Sequence, residues 1–316
     1  MSKREGKRKR KNVGKLKIKV LYSSAFALLC FFAFFLREFF IQIFETMNIY
    51  YQGVPGAFGW ITAKTVAKKM NIEGEHIIGC PTFAEVWKQV DKKSIAVVPV
   101  ENSRAGSVHD NLYNFIRYDY VIIGEVYTKI NHTLLSKEKD KKLIKKVFSH
   151  PQALYQCDNY LKKNHFQAEE FFDTAGAVEM VAKSEEKGIA AIASAEAGKL
   201  YGLNMLEKGI QDQEGNETRF LIITEKGSKL KYPTKTGKTA ILFTARDIPA
   251  SLYKCLGAFA TNNVNLTKIE SIPRFEDPFM YTFWLEFEGK VKDENVRKSL
   301  NELSFFAKKV QIMGEY

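Results

Sequence analysis

Thr218 and Arg219 stand side by side in GIQDQEGNETRF (209–220), at the entrance to an apolar run. A threonine hydroxyl can donate a hydrogen bond to a departing oxygen, and the planar fork of a guanidinium matches a carboxylate. Alone, the pair reads equally well as a strand threonine and a surface arginine. A second group, Glu101-Asn102-Ser103-Arg104, follows the apolar run IAVVPV at 95–100. Open α/β sheets keep their ligands at the carboxyl ends of strands. A helix cap would need one hydroxyl, from Ser103 or Ser107, and would leave Glu101 and Asn102 unexplained. A third group, Ser149-His150-Pro151-Gln152, also ends a short apolar run. Pro151 suits a first helical turn and Ser149 could cap it. His150, beside the positive end of that helix, would stay neutral and act as a donor or acceptor. The turn GVPGAFG at 53–59, with Glu73 downstream, imitates a dinucleotide-binding fingerprint. It lacks the two glycines one residue apart that bring backbone against a pyrophosphate, so a tight turn lining a cleft is expected instead.

These groups need strands and helices to hold them. Strands are predicted at 49–52, 95–99, 121–126, 146–148, 189–192 and 220–224, and helices at 63–70, 111–117, from Pro151, at 173–184 and at 195–201. Thr174 is the predicted N-cap of the helix at 173–184, with Ala177, Val178, Val181 and Ala182 on its apolar face. Such alternation predicts α/β layers with mostly parallel strands. A polar, lysine-rich stretch with one proline follows, and residues 227–237 read as a linker. Beyond it, strands at 239–244, 266–273, 280–287 and 310–313 and helices at 249–262 and 295–308 follow the ferredoxin-like order βαββαβ. The predicted divisions are 1–46, a body at 47–226, the linker 227–237, and a C-terminal module at 238–316.

A chain of 316 residues is long enough for two domains. The net charge of +12 is unevenly placed: residues 1–46 hold 11 Lys+Arg against 3 Glu, and the remainder holds 37 basic against 33 acidic residues. A nucleic-acid-binding body would carry a basic stripe on its folded part; none is visible, and no nucleic-acid partner is expected. Cys30, Cys80, Cys157 and Cys255 are scattered without a CxxC pair, which fits a reducing compartment. The five histidines show no metal-ligand spacing, so no metal site is expected. Near the N-terminus a basic run precedes VLYSSAFALLCFFAFFL (20–36), 17 uncharged residues. That falls just short of the ~20 that span a bilayer. Three readings stand for residues 1–46: a membrane anchor with its N-terminus inside, an extension foreign to the natural protein upstream of Met47, or a cleaved targeting segment. Membrane contact is expected only there, with the body in the cytoplasm.

Six segments in register resemble prephenate dehydratases and the closely related arogenate dehydratases. They are YQGVPGAF (51–58), VPVENSRAGSV (98–108), SHPQALYQC (149–157), DTAGAV (173–178), IASAEAGKLYGL (192–203) and GIQDQEGNETRF (209–220). Downstream, KIESIPR (268–274) resembles the ligand-binding motif of that family's ACT domain. The resemblance implies an α/β fold: a two-lobed, periplasmic-binding-protein-like catalytic domain with the active site between its lobes, followed by a ferredoxin-like ACT domain. It implies conversion of prephenate to phenylpyruvate, water and CO₂ in phenylalanine synthesis, with no cofactor or metal required. The family's essential threonine falls on Thr218, and Arg219 and Phe220 complete its motif. Thr218 would assist the leaving hydroxyl, Arg219 would hold a carboxylate, and Phe220 would help form a dry wall that favours loss of CO₂. Glu101, Asn102, Ser103, Ser149, His150, Gln152, Thr174 and Asn216 are the further substrate-binding candidates.

The resemblance also implies feedback by L-phenylalanine at Pro249, Ala250, Ser251, Leu252, Asn265, Glu270, Ser271 and Pro273, and a homodimer or homotetramer. The chain departs from the family in places. Gly59 stands where members carry Ser, Ala250-Ser251 where they carry Gly-Ala, and Ile272 where they carry Arg. Ala250 adds a methyl where backbone approaches ligand, and Ile272 removes a charge, with Arg274 two residues on. Feedback remains the expectation, in weakened or altered form. One alternative is an arogenate dehydratase, whose substrate differs by an amino group that no residue here marks as read. Another, of a different class, is a non-catalytic amino-acid-binding regulator; intact Asn216, Thr218, Arg219 and Phe220 favour the enzyme.

Overall fold

A computed structural model describes residues 47–72, 76–233, 236–273 and 281–316; the segment 1–46, Glu73 and Arg274 lie outside the described residues. From Ile49 the chain runs β1 (Ile49–Gln52), α1 (Phe58–Met70), β2 (Ile77–Cys80), α2 (Phe83–Gln89), β3 (Ile95–Asn102), β4 (Gly106–Ser107), α3 (His109–Arg117) and β5 (Tyr120–Lys129). It crosses into a second lobe of β6 (Thr133–Ser136), β7 (Lys146–Ser149), α4 (Pro151–Gln156), α5 (Asp158–Lys163), β8 (Gln167–Glu170), α6 (Thr174–Lys183), β9 (Ile189–Ala193), α7 (Ala195–Leu200) and β10 (Asn204–Lys208). It then returns to the first lobe as β11 (Glu217–Glu225). The strand orders are β2-β1-β3-β11-β5, with β4 on β3, and β10-β6-β9-β7-β8. The all-apolar runs in β1, β3 and β9 are buried on both faces, as continuous rather than alternating strands require.

The expectation of mostly parallel strands is corrected: both sheets are mixed. β1 pairs parallel with β2 and β3, and β7 with β8 and β9. β11 is antiparallel to both β3 and β5, and β6 to β9 and β10. The cause is the double crossing. β5 carries the chain out of the first lobe and β11 brings it back beside it at the same end, where Glu217 pairs with Lys129. Two neighbouring strands that leave and enter at one end must run in opposite senses. The N-cap of α6 is Asp173 rather than Thr174; its Oδ1 accepts from the Gly176 N–H at 2.7 Å.

The last segment folds as β12 (Lys238–Ala245), α8 (Ser251–Ala260), β13 (Leu266–Pro273), β14 (Tyr281–Glu288), α9 (Glu294–Phe306) and β15 (Ala307–Glu315), in sheet order β13-β14-β12-β15. This is the predicted ferredoxin-like plan. Side chains alternate along β14. Phe283, Leu285 and Phe287 face the two helices, in a core with Phe259 and Leu303. Trp284 faces the first lobe, where it joins Val98, Val100, Ile122, Leu221 and Ile223. The same alternation sends Glu286 toward that lobe. Among the described residues no helix is long and apolar enough to cross a membrane.

Candidate active site

The two lobes enclose a cleft of about 690 Å³. The turn after β1 lines it through Gln52, Gly53, Ala57, Phe58 and Gly59, as the sequence predicts. Gly53 and Gly56 take left-handed backbones, φ 108° and 95°. Gly56 also lies at the seam between lobes: its carbonyl accepts from Ser194 Oγ at 2.7 Å, and a Cβ there would come within 2.8 Å of Ala197. From the second lobe come His150, Phe172, Asp173 and Thr174. Asp110, Tyr113, Asn114 and Arg117 reach the cleft from one face of α3, at the helical spacing i, i+3, i+4, i+7. Arg117 lies over the Tyr113 ring, 4.4 Å from its centre. Motif reading missed this face; its one signal is the amphipathic period in DNLYNFIR.

Thr218 is the second residue of β11, paired in register with Asn102 on β3 and Thr128 on β5. Asn102 donates from Nδ2 to Thr218 Oγ1 at 2.9 Å and to Asn216 Oδ1 at 2.8 Å. Its Oδ1 accepts the backbone N–H groups of Arg104 and Ala105 at 3.0 and 2.9 Å. Asn216 in turn donates to Gln156 Oε1 at 2.9 Å, the same oxygen that His132 Nε2 meets at 2.9 Å. A polar chain thus runs from Thr218 through Asn102 and Asn216 to Gln156 on α4 of the second lobe. β3 carries one residue more than β11 here: Glu101 faces Arg219, Pro99 faces Phe220, and Val100 has no partner on β11, its carbonyl accepting instead from the Val108 N–H at 2.9 Å. Bulges of this kind re-aim side chains at strand ends. Phe220, two residues from Thr218 on the same strand face, lines the cleft with Val97 and Pro99.

Arg219 points the other way. Its guanidinium enters the seam between the first sheet and the C-terminal sheet and is 5% exposed. Nε donates to Glu125 at 2.6 Å, Nη1 and Nη2 bind Glu286 at 3.1 and 2.6 Å, and Nη2 reaches the Tyr316 hydroxyl at 3.1 Å. Burial opposes the charge, but Glu286, Tyr316 and Glu125 outweigh it and raise the guanidinium pKa. The expectation that Arg219 holds a substrate carboxylate is therefore corrected, since all three nitrogens are taken by buried partners. Glu101 is corrected with it: it faces the same seam, 3.2 Å from Lys268 Nζ. Ser149 is fully buried and donates to the Ile192 carbonyl at 2.6 Å, so it braces a sheet rather than touching the cleft. The cap of α4 is His150, whose Nδ1 accepts from the Gln152 N–H at 3.2 Å.

Ser103 fastens the returning loop, accepting from the Glu217 N–H at 3.0 Å and donating to the Gly215 carbonyl at 3.3 Å. Gln152 and Asn216 line a second hollow of about 370 Å³, with Arg104 and Asp212. Burial holds the His150 imidazole below the ordinary histidine range, against the pull of Asp173 and Glu170. Burial does the same to His132, partly offset by its bond to Gln156. Among the described residues no three His, Cys, Asp or Glu side chains are arranged to hold a metal.

In the C-terminal sheet, Ala250 precedes α8 with a left-handed backbone, φ 60°, a conformation that costs a non-glycine residue on the order of 1 kcal/mol. Pro249, Ser251 and Leu252 flank it. The register Thr244–Thr282–Ile272 sets this corner and Ser271–Pro273 at one end of the sheet, while Asn265 precedes the other end of β13. Ile272 is buried beside Trp284, so the residue that replaces the family's arginine is a core residue. Glu270 accepts from Ser107 Oγ at 2.7 Å and is thus engaged with the first lobe.

The prephenate dehydratase family model matches residues 49–228. The prephenate dehydratase of Methanocaldococcus jannaschii is 40% identical over 78% of this chain and 89% of its own length. Arogenate dehydratase 2 of Petunia hybrida is 36% identical over 85% of this chain and 71% of its own. Among solved structures, the prephenate dehydratase of Staphylococcus aureus superposes with a TM-score of 0.72 at 28% identity, covering 85% of this chain and 100% of that one. A chain described as a novel type of quorum quenching acylase superposes at 0.73 and 32% identity, covering 84% and 96%. With over half of its residues matched by the family model, and a relative this similar along most of both lengths, the chain belongs to the prephenate dehydratase family.

Proposed function

We propose that the cleft takes prephenate and releases phenylpyruvate, CO₂ and water. The observation that carries this reading is the hydrogen bond from Asn102 to Thr218 Oγ1, 2.9 Å long, on the strand face where Phe220 and Pro99 line the cleft. In the reaction the ring-carboxylate bond breaks, its electron pair completes the aromatic ring, and the C4–O bond breaks at the opposite end. The departing oxygen takes a proton, drawn in net from water. Thr218 receives a hydrogen bond from Asn102 and directs its own to the departing oxygen, as general-acid assistance requires. Val97, Pro99 and Phe220 disfavour the compact ring carboxylate relative to the spread charge of the transition state. Arg117 is the single permanently charged cation among the described lining residues, and it takes the pyruvyl carboxylate. Stacking on Tyr113 orients it.

Three further assignments belong to this reading. Residues 47–226 form the catalytic domain, 227–237 the linker, and 238–316 an ACT domain that binds L-phenylalanine. The protein assembles as a homodimer or homotetramer. The body works in the cytoplasm, in keeping with the free, buried thiols of Cys80, Cys157 and Cys255. The test is turnover of the full-length protein with prephenate, followed by phenylpyruvate absorbance, beside Thr218→Val. Activity that collapses in a folded variant supports the proposal. A preference for arogenate would move the chain to the arogenate dehydratases, and a folded parent inert toward both would overturn the enzyme reading.

A further inference from the structure

Thr218 and Asn102 lie on the strand face whose next residues, Phe220 and Pro99, line the cleft, and Arg219 and Glu101 lie on the opposite face. Register pairs Thr218 with Asn102 and Arg219 with Glu101, so the two couples are consecutive rungs of one ladder. The back rung is held by the C-terminal sheet. Glu286 on β14 binds Arg219 through two oxygens, at 3.1 and 2.6 Å. Lys268 on β13 lies 3.2 Å from Glu101 and donates to Ser107 Oγ at 3.0 Å. Ser107, on β4, pairs with Glu101 in register and donates to Glu270 at 2.7 Å. Three residues of the C-terminal sheet thus grip three neighbouring residues of the first lobe, each one position away from the Asn102–Thr218 pair or its ladder neighbour.

We propose that Arg219 and Glu101 are positioning residues, which set the Asn102–Thr218 hydrogen bond by tying the backs of their strands to the C-terminal sheet. The proposal rests on the reading of Thr218 as the group that meets the substrate. β13 shows how a ligand on that sheet would act through these ties. Lys268, Glu270 and Ile272 face the first lobe, while the intervening Ile269, Ser271 and Pro273 are exposed. A ligand on the exposed side that shifts β13 must therefore move Lys268 and Glu270 against Glu101 and Ser107. The strand receiving this displacement bulges at Val100, which has no partner on β11 and is held instead through its carbonyl by the Val108 N–H at 2.9 Å, next to Ser107. At the buried Arg219–Glu286 pair a small displacement has a large effect, because little water intervenes to screen it, while the Lys268–Glu101 pair is half-open to water on the Glu101 side.

The test uses the full-length protein with Glu286→Gln and Lys268→Met, and with Glu207→Gln as a control whose ion pair to Lys141 lies in the second lobe. Steady-state kinetics with prephenate are measured with and without L-phenylalanine, and backbone amide exchange is followed by mass spectrometry. The expected result is a fall in kcat of about ten- to a hundredfold with little change in KM, the mark of misplaced rather than lost binding groups. Inhibition by L-phenylalanine should weaken in parallel. Exchange should quicken by about tenfold at residues 101–103 and 217–220 and stay unchanged at 133–136. The control should match the parent throughout. Folded variants with parental kcat and parental exchange would overturn the proposal, as would a change confined to KM. If the parent turned over neither prephenate nor arogenate, the assignment of Thr218 would fall, and exchange alone would still judge the tie.

Discussion

Asn102 donates to the Thr218 hydroxyl at 2.9 Å while its own carbonyl oxygen accepts two backbone N–H groups, those of Arg104 and Ala105. The amide cannot turn over without losing both acceptor bonds, so its orientation is fixed by the chain that follows it. Because Thr218 Oγ1 is an acceptor toward Asn102, the hydroxyl proton is directed elsewhere. One amide therefore decides where the candidate acid points.

Substitution at either end of that bond should separate chemistry from folding. Thr218→Val keeps the shape and β-branching of the side chain. It is expected to lower kcat by about 10²- to 10⁴-fold, with stability changed by no more than about 1 kcal/mol. Asn102→Asp sets a carboxylate against Thr218 Oγ1, Asn216 Oδ1 and the Glu217 carbonyl, all of them acceptors in this arrangement. It should lose activity too, and cost about 1–3 kcal/mol as well. Urea unfolding beside steady-state kinetics distinguishes the two patterns; a Thr218→Val enzyme with parental kcat would remove Thr218 from the mechanism.

Gly56→Ala tests whether the first turn holds the lobes in place. The added methyl meets the Cα and Cβ of Ala197 at 2.8 Å, on a backbone already at φ 95°. Neither neighbour is a flexible side-chain end, so α7 must move, and the Ser194–Gly56 bond with it. A loss of about 1–3 kcal/mol is expected from strain and overpacking together. A rise in KM should accompany it, since the turn lines the cleft. An unchanged melting temperature would show that the seam tolerates displacement.

Glu286→Ala leaves the Arg219 guanidinium buried without its bidentate partner and takes the acceptor from Trp284 Nε1, which now donates to Glu286 at 2.7 Å. Breaking a buried pair from one side costs about 3–5 kcal/mol, whereas replacing both partners by apolar residues of similar volume is often close to neutral. The double variant Arg219→Met/Glu286→Leu should therefore recover much of the stability that Glu286→Ala loses, although Glu125 then keeps only Lys238, at 2.9 Å. Denaturant midpoints for Arg219→Met, Glu286→Leu and the double close the cycle, and additivity within error would deny the coupling.

The elements and the order of the segments were legible because apolar continuity and period read directly from the chain; β9, five buried residues out of IAAIA, needs no tertiary information. The ferredoxin-like order was legible for the same reason. Which face of a strand meets the cleft was not. Thr218 and Arg219 are adjacent in sequence and lie on opposite faces of β11, and both are polar, so no alternation of apolar and polar residues marks the difference. The motif points to a substrate ligand at Arg219, whereas the partners that take it, Glu125 and Glu286, stand 94 and 67 residues away. The mixed strand directions were hidden too, because only the path of two crossings between lobes decides them. Arg117 escaped because it belongs to no motif, only to a helix face whose neighbour was unknown.

The histidines give a prediction about acid stability. Burial depresses the pKa of both His132 and His150, and the partners that pull the other way, Gln156 for the first and Asp173 with Glu170 for the second, do not restore it. The unfolded chain, with histidines titrating near ~6.5, then binds protons that the native state refuses. Stability from these two groups is fully present above that value and is lost as pH falls through it toward the depressed native pKa values. Protonation also removes a bond, because His150 Nδ1 must stay unprotonated to accept from the Gln152 N–H. Carboxylates held low add their loss at more acid pH, Asp91 through its bond from Ser94 and Glu207 through its bond from Lys141. The variant His150→Asn keeps a side-chain acceptor at the cap without a titrating group. Melting temperatures of parent and variant between roughly pH 7.5 and 5 should therefore diverge, with the variant declining less. Parallel curves would mean that the native state accepts a proton on His150 as readily as the unfolded chain does.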